Sequence, residues 1–274
     1  MLRIILSLTL VASLSGCAAR TWPADGRRRV VASFFPLAEA ARLVGGGAVD
    51  VRDLTPSGAE PHDLELTPAD IDAIETADLV IVVGHGFQPA VEAAAQRHRA
   101  KELVVLDALG ITGDAASDPH VWLDPVLMHR AADAIATRLG RPDVLATSLA
   151  DLDTSYRQGL SHCARTTIVT AHEAFGWMAR RYGLQQDALA GIDPETEPGA
   201  DRIAQLADLV QREHVTTIFT ESLASPRVAD ALAREAGVTT AVFDPIESAD
   251  AKLGTYDARM RRDLRTLEQA LGCT

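Results

Sequence analysis

The chain has no surplus of positive charge. Its 26 lysines and arginines stand against 38 aspartates and glutamates, a formal net charge of −12. That balance argues against nucleic acid or an anionic surface as partner and suits a cationic ligand. It also lacks a dinucleotide fingerprint: "VVGHGFQP" misses the third glycine and opens its helix on Gln88-Pro89. Cysteine is scarce, with three in 274 residues. The N-terminal apolar run, "MLRIILSLTLVASLSGC", is too short to cross a bilayer as a folded helix. What is present is an ordinary globular composition, 47% apolar and 23% charged, which excludes a disordered chain. The length allows two modest domains or one large one.

A single Arg3 precedes the N-terminal run, which ends in Leu14-Ser15-Gly16-Cys17. This resembles a bacterial lipoprotein cleavage box. It implies removal of residues 1–16 as a signal peptide, lipid on Cys17, and a tether over 17–29 that holds the folded part off the cell membrane. Cys163 and Cys273 then remain. In an exported chain an isolated pair reads as a disulfide, the alternative being two free thiols.

From Val30 on, apolar runs alternate with helical text. "VVASFF", "VDVRDL", "ADLVIVVG" and "ELVVLDA" read as strands, with helices such as "TPADIDAIETA" between them. In that helix Thr67 is the expected N-cap and Pro68 the first helical residue. At Pro125 the alternation stops, and helical text broken at "GRPD" runs to about His162. It then resumes through "TTIVT", "LQQDALAG", "TTIFTE" and "VTTAVF". The expected fold is α/β with two lobes, each a parallel sheet flanked by helices, joined by a long helical connector. The boundaries are 30–124 for the N-terminal lobe, 125–162 for the connector and 163–274 for the C-terminal lobe.

Parallel sheets bind ligands beyond the carboxyl ends of their strands. His62 follows "VDVRDL", His120 follows "ELVVLDA", His172 follows "TTIVT" and Asp244 follows "VTTAVF". Three imidazoles and one carboxylate, two from each lobe, make an N3O set suited to tetrahedral zinc. His85 also follows a strand and competes for a place; His98, His129, His162 and His214 lie in helical text. Helices starting at this face point their positive ends at the ion, so carboxylates should gather to offset them. Glu60, Asp63, Asp118, Asp124, Glu173, Glu197 and Glu221 fall in these loops, and some should hold a ligand's free imidazole N–H. Trp122 is expected to pack beneath. Imidazoles bind metal only when neutral, so affinity is expected to fall as pH drops through about 6.5.

Five segments in order, "EPHDLELTPADI", "DPHVWLDP", "AHEAFGWMARRYGL", "GIDPETEPG" and "TYDARMRRDLRTLEQAL", resemble the metal-binding solute-binding proteins of bacterial ABC transporters. The likeness is greatest to the zinc-uptake branch. It implies two lobes on a rigid helical backbone, metal held between them by His62, His120, His172 and Asp244, and delivery to a membrane permease. Glu60 is a rival fourth ligand, as in members where a glutamate beside the first histidine fills that place. Manganese-transporting members carry Glu where this chain has His172, which favours zinc over manganese or iron. The His-rich loop of many zinc members is missing: that region is "LGITGDAASD". The resemblance implies a monomeric receptor with no reaction. A zinc hydrolase, with Glu173 as base and an open fourth position, is the alternative from another class.

Overall fold

A computed structural model describes residues 22–274; the expected signal peptide and Cys17 lie outside them. The first half is built from β1 (Arg28–Ala32), α1 (Phe35–Gly45), β2 (Val49–Asp53), α2 (Pro68–Thr76), β3 (Leu79–Val82), α3 (Pro89–Ala95), β4 (Glu102–Val104) and α4 (Val105–Leu109). Two helices follow, α5 (Pro125–Leu139) and α6 (Ala146–Gly159). The second half comprises β5 (Thr167–Thr170), α7 (Gly176–Tyr182), β6 (Gln185–Ala188), α8 (Ala200–Arg212), β7 (Thr217–Thr220), α9 (Arg227–Ala236), β8 (Thr239–Val242) and α10 (Tyr256–Leu271).

Each half holds a four-stranded sheet, in the order β2-β1-β3-β4 and β6-β5-β7-β8. All pairings are parallel. The two-lobed α/β expectation holds, and both sheets share one winding. Strand residues alternate between faces: Val30 and Ala32 face the main core, while Val31 joins Ile74, Val80 and Val91 in an outer cluster. The second sheet repeats this, with Val169, Leu206, Val210, Ile218 and Leu232 forming its outer layer. The main core crosses between the halves, so Phe34, Trp122, Phe175 and Phe243 belong to one buried cluster.

Local chemistry sets the helix starts. Thr67 and Asp70 close a capping box on α2, with Pro68 in the first turn. Asp124 accepts from the Val126 and Leu127 amides to start α5. The connector is these two helices, broken after Leu139, with α5 packed on α1 and α6 packed on α10.

Two details differ from expectation. "ELVVLDA" stays extended only to Val104 and then turns into α4, because Val105, Leu106 and Leu109 are buried on one helical face. Part of the expected tether is fixed: Trp22 donates to Thr76 Oγ1 at 2.9 Å, Arg52 lies over its ring, and β1 begins at Arg28. A disulfide joins Cys163 to Cys273, as expected, and ties the segment entering β5 to the residues after α10.

Candidate metal centre

Four side chains meet where the carboxyl ends of the two sheets face each other. His62 comes from the loop after β2, His120 from the segment before a short 3-10 turn (Val121–Leu123), His172 from the loop after β5, and Glu247 from the segment after β8. One ligand atom from each lies within 4.8 Å of all the others. Glu247 Oε1 stands 3.5 Å from His62 Nε2, 3.5 Å from His120 Nε2 and 3.6 Å from His172 Nε2. The His120 and His172 Nε2 atoms are 3.4 Å apart. A tetrahedron with metal–ligand bonds of ~2.0–2.1 Å has edges of ~3.3–3.4 Å, so these separations match an N3O cage around one divalent ion. His62 Nε2 and Glu247 Oε1 are buried with no hydrogen-bond partner. Buried polar atoms are rarely left that way, and a cation at the centre would satisfy both.

Carboxylates behind the imidazoles set their orientation. Asp118 Oδ1 accepts from the His120 amide and faces its Nδ1, both at 3.1 Å. Glu221 accepts from the His172 amide at 3.1 Å and faces Nδ1 at 2.7 Å. With Nδ1–H so engaged, each Nε2, once free of its proton, presents its lone pair to the cage. His172 and Glu221 follow β5 and β7, neighbours in the sheet at the point where its strand order reverses, the place where α/β sheets open a crevice. Asp118 is itself held from the other half: Arg180 donates to its Oδ2 at 3.2 Å, and Trp177 Nε1 to its carbonyl at 2.9 Å. A Cβ on Gly176 would lie 2.6 Å from Asp118 Oδ2, so a larger residue there would push that carboxylate aside. Beneath the cage Trp122 packs with Phe34, Phe87 and His120.

The charges answer one another. Burial pushes Glu247 toward its neutral form, but the imidazoles of His120, His172 and His62 that face it outweigh burial and hold the carboxyl well below the usual range. Burial pushes His172 the other way, and Glu221 and Glu247 overcome it, raising the imidazole to about 10. His120 is raised too, against its burial, by Asp118 and Glu247. Glu60 is pushed up to about 8 by burial and by the Glu247 charge.

The expected histidines His62, His120 and His172 are thus brought together, while Asp244 is not among them. Its carboxylate is taken by Arg259, whose Nε and Nη2 donate to it at 2.6 and 2.7 Å. Glu247, three residues on in the same loop, faces the imidazoles instead. Glu60 lies farther out: its Oε1 accepts from the His62 amide at 3.0 Å and is 4.0 Å from His62 Nε2. His85 points elsewhere, at Asp107 Oδ1, 2.8 Å away. Of the other expected carboxylates, Asp124 caps α5 and pairs with Arg181, while Asp63, Glu173 and Glu197 are exposed.

The family model described as zinc-uptake complex component A periplasmic (ZnuA) matches residues 30–270. The zinc-binding lipoprotein AdcA of Streptococcus pneumoniae is 31% identical over 281 residues, covering 90% of this chain and 56% of the relative. The chain therefore spans about half the length of that relative. The high-affinity zinc uptake system protein ZnuA of Bacillus subtilis is 30% identical, covering 98% of this chain and 96% of the relative. Among solved structures, the Zn(II)-bound ZnuA-like domain of Streptococcus pneumoniae AdcA superposes with a TM-score of 0.75 at 30% identity, covering 90% of this chain and 99% of that one. The chain belongs to the ZnuA family of zinc-uptake components.

Proposed function

We propose that this chain captures Zn2+ in the cage of His62, His120, His172 and Glu247 and hands it to the membrane permease of an ABC transporter. The observation that carries the reading is the convergence of four ligand atoms, all within 4.8 Å of one another and four of their six separations at 3.4–3.6 Å. Three nitrogens and one oxygen at tetrahedral spacing suit zinc; manganese prefers a larger, oxygen-rich shell. Catalytic zinc sites keep a position open for water. Here Glu247 fills the fourth corner, which supports a receptor over a hydrolase. The chain works outside the cytoplasmic membrane in this reading, anchored through lipid on Cys17. Elemental analysis of purified protein, followed by competitive titration of Zn2+ against Mn2+ on the wild type and His120→Ala, tests the capture step. Equal affinity for the two metals, or an unchanged His120→Ala, would count against it.

The residues behind the imidazoles should matter at one remove. Asp118→Asn and Glu221→Gln are each expected to weaken zinc binding by roughly 10- to 100-fold, the usual cost of losing such a partner. Exposed Glu173→Gln should change nothing. Competition with a fluorescent chelator measures all three.

Before zinc enters, the raised His172 means the cage carries a proton at neutral pH. Zinc must displace it, so affinity climbs with pH, by about ten-fold per unit for each proton released. The climb continues through pH 7–9, above the ordinary imidazole value of about 6.5, because Glu221 and Glu247 hold the proton on. Calorimetry in buffers of different ionisation enthalpy counts the protons released; an affinity flat between pH 7 and 9 would contradict this assignment.

A further inference from the structure

Glu247 sits on a turn whose shape the backbone alone does not favour. Ile246 beside it has φ +57°, a left-handed conformation that β-branched residues avoid. Something must hold that turn, and the guanidinium of Arg259 on α10 touches it at both ends. Nε and Nη2 grip Asp244, while Nη1 donates to the Ser248 carbonyl at 2.6 Å. Arg259 is 1% exposed. Asp244 Oδ1 in turn accepts from the Ile246 amide at 2.9 Å, and its own amide donates to Asp263 Oδ1 at 3.2 Å.

The same turn is tied to the segments that carry two of the other ligands. Ser248 Oγ accepts from the Gly58 amide at 2.7 Å and donates to the Pro56 carbonyl at 3.1 Å, in the loop that continues to His62. Trp122 Nε1 donates to the Pro245 carbonyl at 2.7 Å, two residues beyond His120. Arg259 therefore fixes the turn, and these ties fix its distance from the imidazoles.

We propose that Arg259 is a positioning residue for metal capture: by bridging Asp244 and the Ser248 carbonyl it holds the Asp244–Ser248 turn in the shape that aims Glu247 Oε1 at His62, His120 and His172. The inference rests on the zinc-capture reading above. It explains why Asp244, which follows the last strand, is bound to an arginine: its charge is spent on the support of the ligand.

The test is a double-mutant cycle on zinc affinity, measured by chelator competition on wild type, Arg259→Lys, Glu247→Gln and the double variant. Circular dichroism and thermal melting check that each folds. Lysine keeps a charge for Asp244 but loses the fork that reaches both ends of the turn. Arg259→Lys is expected to lose roughly 10- to 100-fold in affinity, yet to cost less than about two-fold more once Glu247 is already glutamine. A merely structural role would lower affinity by the same factor in both backgrounds, and that result overturns the proposal. So does Arg259→Lys binding as wild type while Glu247→Gln binds weakly, which leaves the zinc reading standing. An unchanged Glu247→Gln overturns the ligand assignment itself. If Arg259→Lys does not fold, Asp244→Asn, which weakens the grip of Arg259 on the same turn, takes its place in the cycle with the same pattern expected and the same results overturning it.

Discussion

Glu247→Gln should lower zinc affinity by roughly 150- to 5,000-fold without unfolding the chain. Glutamine keeps the shape and one oxygen but removes the only negative charge in the cage, leaving neutral imidazoles around a dication. Removing one member of a buried, paired charge costs about 3–5 kcal/mol, which sets that range. Glu60→Gln is the informative contrast. Its oxygen is 4.0 Å from His62 Nε2 and supports the His62 amide, so a loss below about ten-fold is expected, short of the cost of a ligand. Chelator competition on the two variants decides; a larger loss in Glu60→Gln would return it to the ligand set.

The second large effect is on stability. The Cys163–Cys273 bridge spans 110 residues, and the chain-entropy model gives about 4–5 kcal/mol for closing such a loop. The paired change Cys163→Ser with Cys273→Ser should therefore lower the melting temperature of metal-free protein by on the order of 10–15 °C. Zinc affinity should hardly move, because the bridge lies before β5 begins while His172 lies beyond its carboxyl end. Thermal unfolding with and without the substitutions measures the first; a melting point that stays put would show that the bridge does not constrain the unfolded chain.

The three histidines were legible because each follows a buried β-run, and the strand-end rule of parallel sheets needs only local pattern to apply. His85 follows one too, but Asp107 engages it away from the cage, a pairing 22 residues apart that no local pattern reveals. The fourth corner was harder. Asp244 is the first carboxylate past β8, and only a contact with α10 removes it from contention. A clue was present in the chain: Arg259 falls on the same apolar helical face as Tyr256, Met260 and Leu267, so it had to be buried against an anion. Read that way, Arg259 claims Asp244 and leaves Glu247, in the same "DPIE", for the site. The end of β4 misled for a related reason, since Val105 and Leu106 suit a buried strand and a buried helix equally, and tertiary packing chose.

The continuous apolar cluster running from Phe34 through Trp122 to Phe175 and Phe243 bears on how cargo leaves. Swinging the halves apart like a clamshell would wet those rings, at about 1.5–3 kcal/mol for each large side chain exposed. Slackening the buried 244–249 turn alone would uncover fewer large apolar side chains, Ile246 chief among them. Under the proposed hand-over to a permease, release is a matter of prising one finger from the ion, with the palm staying closed.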